Sequence, residues 1–370
     1  MPSTNNAVLI LNTGSSTLKW SVFEERRLVS SDTVTWGSAS ARRSQIKGAL
    51  SGVQSCRAIG HRVVHGGTKF SSAVVIDAAV RAQLDVLADL DRLHMEPALA
   101  AIDAATELFA EVPQVASFDT AFHSSIPPSA NYALPFEWVE RWELRRFGFH
   151  GLSVSYAVER LAQLTDHTAA RVIVCHLGSG CSVTAVHAGR SIDTTMGFTP
   201  LEGLMMGTRA GTVDPGLLLY LQTRHGMQPA ELEEALSRSA GLLGVSGVSG
   251  DLRKVRSAAA QGSQRAALAC EMFARSAQRA VGAMMAVLGG VDVIVFTGGI
   301  GENDAMIRTE IAMAVGADRL VLDERVNSHA AGDRVISTVT SPAAALVITA
   351  REDLVILREV CAVLAGKAPR

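Results

Sequence analysis

Short apolar runs that break off into polar, glycine-bearing turns set the strongest limit on this chain. Residues 8–11 run into Asn12-Thr13-Gly14-Ser15-Ser16, and residues 19–23 are strand-like again. Residues 58–64 end at His65-Gly66-Gly67, and residues 114–118 end at Asp119. Residues 171–175 stop at His176-Leu177-Gly178-Ser179-Gly180. Residues 291–296 feed Thr297-Gly298-Gly299-Ile300-Gly301-Glu302-Asn303, and 343–348 form a last apolar run. Runs of this length bounded by turn residues read as buried strands. Residues 182–187 and 191–195 flank Ala188-Gly189, a hairpin signal because glycine accepts a positive φ. Apolar spacing predicts helices over 80–92, 152–164, 229–239, 265–288 and 352–365. Another is expected over 97–108, opened by Pro97 in its first turn. Some strands are joined by hairpins and others are separated by helices. The expectation is an α/β protein with mixed sheets. The strand–turn–strand opening recurs at 8–23 and 171–187, a hint of duplicated domains. Residues 24–56 have too weak a period to assign, and 123–150 form an excursion rich in Pro, aromatic residues and Arg.

A length of 370 residues suits two domains sharing a cleft. With 48% hydrophobic and 19% charged residues the chain is globular. Lys+Arg is 34 and Asp+Glu is 36, a net charge of −2. That balance speaks against a general nucleic-acid or membrane surface and leaves room for a local basic pocket. The five cysteines are scattered and form no CxxC pair, which fits a reducing, cytoplasmic setting and excludes a ligand-dense zinc module. No spanning helix is expected, and residues 1–7 lack a signal-peptide pattern.

Three of the glycine-bearing turns, 12–16, 176–180 and 297–303, follow apolar strands. Glycine lets backbone N–H groups approach an anion closely, so together they suggest a phosphate or nucleotide cleft. None is a P-loop or a GxGxxG fingerprint. Polar groups cluster in Gly60-His61-Arg62-Val63-Val64-His65, Asp119-Thr120-Ala121-Phe122-His123, Phe147-Gly148-Phe149-His150-Gly151 and Met205-Met206-Gly207-Thr208-Arg209. Taken singly, each arginine reads as a salt-bridge residue and each histidine as structural. Two arginines, a histidine and an aspartate together near glycine turns suit phosphoryl transfer, where guanidinium forks bind phosphoryl oxygens. The chain has no HExxH, and the GxSxG string Leu243-Gly244-Val245-Ser246-Gly247 follows no predicted strand, so serine-hydrolase chemistry is not expected from it.

With these motifs in order, the chain resembles the acetate kinases, the acetokinase family of short-chain carboxylate kinases. The resemblance runs from residue 8 to about 358. Its most specific stretch is Met196-Gly197-Phe198-Thr199-Pro200-Leu201-Glu202-Gly203-Leu204-Met205-Met206-Gly207-Thr208-Arg209. It implies two related actin-like, ribonuclease H-like α/β domains of the acetate and sugar kinase, Hsp70 and actin superfamily around a nucleotide cleft. The N-terminal domain would cover 1–150, completed by about 351–370, and a C-terminal nucleotide-binding domain 151–350. The implied reaction is ATP + acetate ⇌ ADP + acetyl phosphate, by direct in-line transfer with Mg²⁺, or Mn²⁺ in its place. The implied assembly is a cytoplasmic homodimer that binds neither nucleic acid nor membrane.

By the same resemblance, Arg62 and Arg209 hold the carboxylate and the transferring phosphoryl group. His150 stabilises the transition state, and Asp119 positions or activates the carboxylate. Val64, Leu93, Phe149 and Pro200 form the slot for the methyl group. His176, Leu177, Gly178, Ser179, Gly180, Asp251, Leu252, Arg253, Gly299, Ile300, Gly301, Glu302 and Asn303 bind nucleotide, and Asn12 and Glu352 hold the metal. The chain departs from the family pattern at four places. It is shorter between Asn12 and Arg62. His94-Met95-Glu96-Pro97 replaces a His-Asn-Pro stretch. Ser179 stands in place of Asn, which bears on the phosphate donor, ATP or pyrophosphate. Arg351-Glu352-Asp353 replaces Asn-Glu-Glu. A propionate-preferring kinase and a non-catalytic nucleotide-dependent regulator are the alternatives; the second would lack the transfer residues that this chain retains.

Overall fold

Alternating side chains from one apolar strand, covered on both faces, organise the first part of the molecule. The computed structural model describes residues 6–14, 17–36, 39–53, 55–165 and 170–367; Ser15 and Ser16 of the first turn, and the N-terminal residues 1–5, lie outside them. The chain divides into two compact units. One holds residues 1–124, 149–156 and 351–370, the other 125–148 and 157–350.

In the first unit the strands are β1 (Ala7–Thr13), β2 (Thr17–Glu24), β3 (Arg27–Thr35), β4 (Ala58–Val63), β5 (Val74–Val75) and β6 (Gln114–Phe118). They form one sheet in the order β3-β2-β1-β4-β6-β5. Ala7, Leu9 and Leu11 cluster with Ile46 and Leu50 of helix Ala39–Leu50 and with Ala101, Ala104 and Ala105 of helix Arg92–Leu108. Val8 and Ile10 cluster with Val355, Ile356 and Val360 of helix Glu352–Leu364. A strand buried on both faces must read as an unbroken apolar run. The C-terminal helix lies so close to β4 that a Cβ on Gly60 would sit 2.6 Å from the Ile356 side chain.

Two expectations need correction here. Residues 24–56 hold regular structure, β3 and helix Ala39–Leu50. Strand β3 is almost wholly exposed, so pairing with β2 holds it and no alternation marks it in sequence. Pro97 does not open its helix. It is buried inside Arg92–Leu108, past the first turn, where its ring nitrogen has no hydrogen to donate to the Leu93 carbonyl. Burial of Met95, Ala98, Leu99 and Ala101 on the same helix offsets that loss.

In the second unit the strands are β7 (Arg171–Leu177), β8 (Cys181–His187), β9 (Arg190–Thr194), β10 (Val293–Thr297), β11 (Arg334–Val335) and β12 (Ala344–Val347). Their order is β11-β12-β10-β7-β8-β9. The β8–β9 turn has Ala188 at φ 48 and Gly189 at φ 76, the two positive values a two-residue type I′ hairpin requires. Helix Gln264–Leu288 turns Ala266, Ala269, Phe273, Ala277, Val281 and Met284 inward, and Gly289 ends it at φ 68.

The two sheets have the same plan. Each has a three-strand antiparallel meander, two further strands parallel to the first, and a two-residue antiparallel edge strand. The strand–turn–strand recurrence in the sequence is the start of this repeated topology. Among the described residues, no helix is long and apolar enough to cross a membrane.

Candidate active site

In the first unit the carboxyl ends of three neighbouring parallel strands carry the polar groups. Asn12 lies at the end of β1, Arg62 at the end of β4 and Asp119 directly after β6. Register places Leu11 beside His61 and Val63 beside Phe118, so these ends are level. Ends of parallel strands are where open α/β sheets place ligands. Arg62 donates to one Asp119 oxygen from both Nε, at 3.0 Å, and Nη2, at 2.5 Å. Its Nη1 donates to Asn12 Oδ1 at 3.3 Å. Asn12 Nδ2 in turn donates to Glu352 Oε2 at 2.7 Å, and that oxygen lies 3.7 Å from Arg62 Nε.

Asp119 is 1% exposed, and its other oxygen, Oδ1, has no hydrogen-bond partner among the described residues. Burial pushes its carboxyl up, against the pull of Arg62. Burial also works against the Arg62 charge, but Asp119 and Glu352 outweigh it and hold the guanidinium protonated.

His150 stands in a left-handed conformation at φ 61, rare for a residue with a side chain. Its neighbours hold it there. The Phe149 carbonyl accepts from His123 Nε2 at 2.9 Å, and Gly151 N donates to the Asp119 carbonyl at 2.8 Å. A Cβ on Gly151 would lie 2.1 Å from that carbonyl oxygen, so no other residue fits. Val64 and Phe149 are buried, Leu93 is half-buried, and the His65 ring meets Phe149 edge-on at 5.5 Å.

In the second unit the ends of β7 and β10 run directly into Gly178 and Gly298. Three loops interlock. Gly207 N donates to the Ser179 carbonyl at 3.4 Å, and a Cβ on Gly207 would meet the Gly250 carbonyl at 2.8 Å. They line a cavity of about 640 Å³ that also touches Asp251, Leu252, Arg253, Gly299, Ile300, Asn303 and Asp304. Of the residues expected to bind nucleotide, Gly178, Ser179, Asp251, Leu252, Arg253, Gly299, Ile300 and Asn303 line this space. His176, Leu177, Gly180, Gly301 and Glu302 do not. Leu177 and Gly301 are buried, and Glu302 Oε1 accepts from Gly298 N and Ala350 N, both at 3.0 Å. Residues 298–303, expected as a turn, form a short helix started by Gly298 at φ 78. Gly207, Thr208, Gly250 and Asp304 also line the cavity and are absent from that expectation. Gly207 and Thr208 lie inside the most specific motif, which was the available signal.

Arg209 and Pro200 lie on the same stretch, with Arg209 Nη1 donating to the Pro200 carbonyl at 3.0 Å. Glu202 pins the stretch by accepting from Tyr132 Oη and from Arg146 Nη2, the latter at 3.1 Å. Ser246 of the GxSxG string lies inside helix Gly241–Ser246, buried, with its hydroxyl spent on the Leu242 carbonyl at 2.5 Å. It is not poised as a nucleophile.

Among the described residues no group of three or more His, Cys, Asp or Glu side chains could hold a metal. Asn12 and Glu352, joined by the Asn12 Nδ2 hydrogen bond, do bring two hard oxygen ligands, Asn12 Oδ1 and the Glu352 carboxylate, to the site where Asp119 Oδ1 has no hydrogen-bond partner among the described residues. That set fits Mg²⁺, which keeps waters and takes one or two carboxylates together with substrate phosphates.

The chain as a whole is similar to known proteins. The acetokinase family profile matches residues 40–358. An acetate kinase of Microcystis aeruginosa is 45% identical over 304 residues, covering 81% of this chain and 76% of that protein. The crystal structure of Porphyromonas gingivalis acetate kinase superposes with a TM-score of 0.86 at 34% identity, covering 97% of this chain and all of that one. A propionate kinase from Francisella tularensis gives 0.88 at 35% identity, covering 96% and 99%.

Proposed function

This chain belongs to the acetokinase family, and from that premise we propose that it is an acetate kinase, an enzyme that moves the γ-phosphoryl group of ATP to acetate and back. The observation that carries the reading is the pairing of part-buried Arg62 with buried Asp119, level with Asn12 and backed by Glu352.

Acetate is already an anion at neutral pH, so its oxygen needs no strong base. The barrier is repulsion between that oxygen and the phosphoryl group. The carboxylate oxygen forms the new bond to phosphorus while the bond to the ADP oxygen breaks, with ADP as leaving group. Arg62 and Arg209 are assigned to the charge on the transferring phosphoryl group, and His150 to its equatorial oxygens. Asp119 takes two donors of Arg62 and so fixes the direction of the guanidinium fork. Asn12 and Glu352 would hold Mg²⁺, which when bound neutralises phosphate charge. The glycine loops around the second unit's cavity are assigned to the nucleotide. Ser179 is exposed at that cavity, where a hydroxyl replaces an amide's separate donor and acceptor.

Val64, Leu93, Phe149 and Pro200 are assigned to the acyl slot. A methylene is worth only about 1–3 kcal/mol in such a slot, so propionate is a poorer substrate and not an excluded one. The Francisella protein named a propionate kinase makes propionate preference the second reading. The actin-like fold, the division at about residue 150, the cytoplasmic setting and the homodimer belong to the same proposal. Light scattering giving about twice the chain mass of 39.0 kDa is the expected outcome for the dimer. The function is tested by trapping the acyl phosphate as its hydroxamate with ATP and Mg²⁺. Acetate turnover supports it, and silence with every short acid and with both ATP and pyrophosphate overturns it.

A further inference from the structure

Arg308 is the largest fully buried side chain of the described residues, 1% exposed, and it forms no ion pair among them. Asp304, the acidic group that acts on it, is ion-paired with Arg256, so the buried cation is compensated chiefly by dipoles. Nη1 donates to the carbonyls of Gly301 and Glu302, each at 2.9 Å. Nε donates to Asn327 Oδ1 at 2.7 Å and Nη2 to the Asn327 carbonyl at 2.6 Å. Asn327 is itself fixed, its Nδ2 donating to the Ala305 carbonyl and Thr309 Oγ1, both at 3.1 Å. The guanidinium thus ties the far end of the short helix 298–303 to helix Glu324–Ser328. The near end is held separately, by Glu302 Oε1 on Gly298 N. Gly299 and Ile300, between these two anchors, and Asn303, directly after the second, line the 640 Å³ cavity, and Arg308 does not.

We infer that Arg308 is a positioning residue for nucleotide: it acts through the carbonyls of Gly301 and Glu302 to hold the loop that lines the cavity. The inference rests on reading that cavity as the nucleotide site. A planar fork reaches both sets of carbonyls at once; an ammonium does not.

The test is Arg308→Lys, with Asn327→Ala as a milder variant that keeps the arginine. The readouts are KM for ATP, KM for acetate, and ADP affinity by calorimetry, below the melting temperature of each variant. For Arg308→Lys, KM for ATP should rise tenfold or more and ADP affinity fall in step, with KM for acetate within twofold. For Asn327→Ala the same shift should be two- to fivefold. A residue that only stabilised the fold would lower the melting temperature and leave that split unmoved. Unchanged ADP affinity in folded Arg308→Lys overturns the inference, as does an equal rise of both KM values. If Arg308→Lys does not fold, unchanged ADP affinity in Asn327→Ala decides against it. A parent protein that binds no ADP overturns the nucleotide reading and this inference with it, whereas a parent that binds ADP as tightly as its variants overturns the role of Arg308 alone.

Discussion

The two sheets share one strand order, and their strand ends are furnished in opposite ways. In the first unit the ends of β1, β4 and β6 carry polar side chains that bond to each other, Arg62 to Asp119 and to Asn12, and Asn12 bonds on to Glu352 of the C-terminal helix. In the second unit the ends of β7 and β10 run into glycines, and Gly178, Gly207, Gly250 and Gly299 bring backbone to the cavity wall. One scaffold therefore yields a charged side-chain cluster or a backbone cradle, according to the residue types placed at the strand ends. The first should fail when a side chain changes, the second when a Cβ is added.

The largest effect is expected at Arg62. Arg62→Ala should lower kcat by about 10²–10³-fold, the scale of removing one charge-stabilising donor from a reacting centre. Arg62→Lys should lose nearly as much, because an ammonium cannot keep both contacts to Asp119 and still reach a substrate oxygen. A rate within a few-fold of the parent would dissolve the distinction between the units.

A second prediction concerns acid. Burial holds His61 and His123, both in the first unit, down at about 4, against an ordinary 6.5. Between those values the unfolded chain binds protons that the folded one does not, so stability should fall as pH drops from 6.5 towards 4. Each group contributes at most about 3 kcal/mol, at 1.36 kcal/mol per unit. Denaturant melts across that range should show the slope, and His123→Gln should flatten it. Hydrogen exchange should show the first unit loosening before the second; the reverse order would contradict the comparison.

The second unit should respond to Gly298→Ala. Its φ of 78 disfavours any side chain, and a Cβ would lie 2.7 Å from the Leu177 carbonyl oxygen. ADP affinity should fall about tenfold, or 1.4 kcal/mol, with KM for acetate unmoved. The smallest change is Ser246→Ala. It removes the hydroxyl's bond to the Leu242 carbonyl and the acceptor for Val248 N and Ser249 N, costs about 1–3 kcal/mol of stability, and should leave kcat untouched. A loss of turnover there would revive the GxSxG reading.

Strands β1, β4, β6, β7 and β10 are legible in the sequence because burial on both faces writes them as apolar runs. Strand β3 is not, because ladder bonds hold it in solvent and no alternation results. Two-residue edges such as β5 and β11 carry no pattern at all. Helix Pro215–His225 had a legible start in Asp214-Pro215, where Asp214 accepts from Gly216 N. Its apolar residues Leu217, Leu219 and Tyr220 stay exposed, so no buried stripe announces it. In the site, Arg62 and His150 stand out near glycines, and Asp119 at the end of an apolar strand. Gly250 and Asp304 acquire meaning only when separate loops meet, and Arg308 reads as one arginine among many until its four hydrogen bonds are seen.

The central proposal is ATP-dependent acyl phosphate formation with Val64, Leu93, Phe149 and Pro200 setting a small acyl slot. The direct measurement is kcat/KM for acetate, propionate and butyrate with ATP and Mg²⁺, the product trapped as hydroxamate, and pyrophosphate replacing ATP in a parallel series. Turnover with ATP is expected, with acetate preferred by about tenfold or more over propionate, and butyrate lower again. Preference for propionate would contradict the small slot, turnover with pyrophosphate alone would contradict the donor, and no acyl phosphate from any acid with either donor would contradict the enzyme itself.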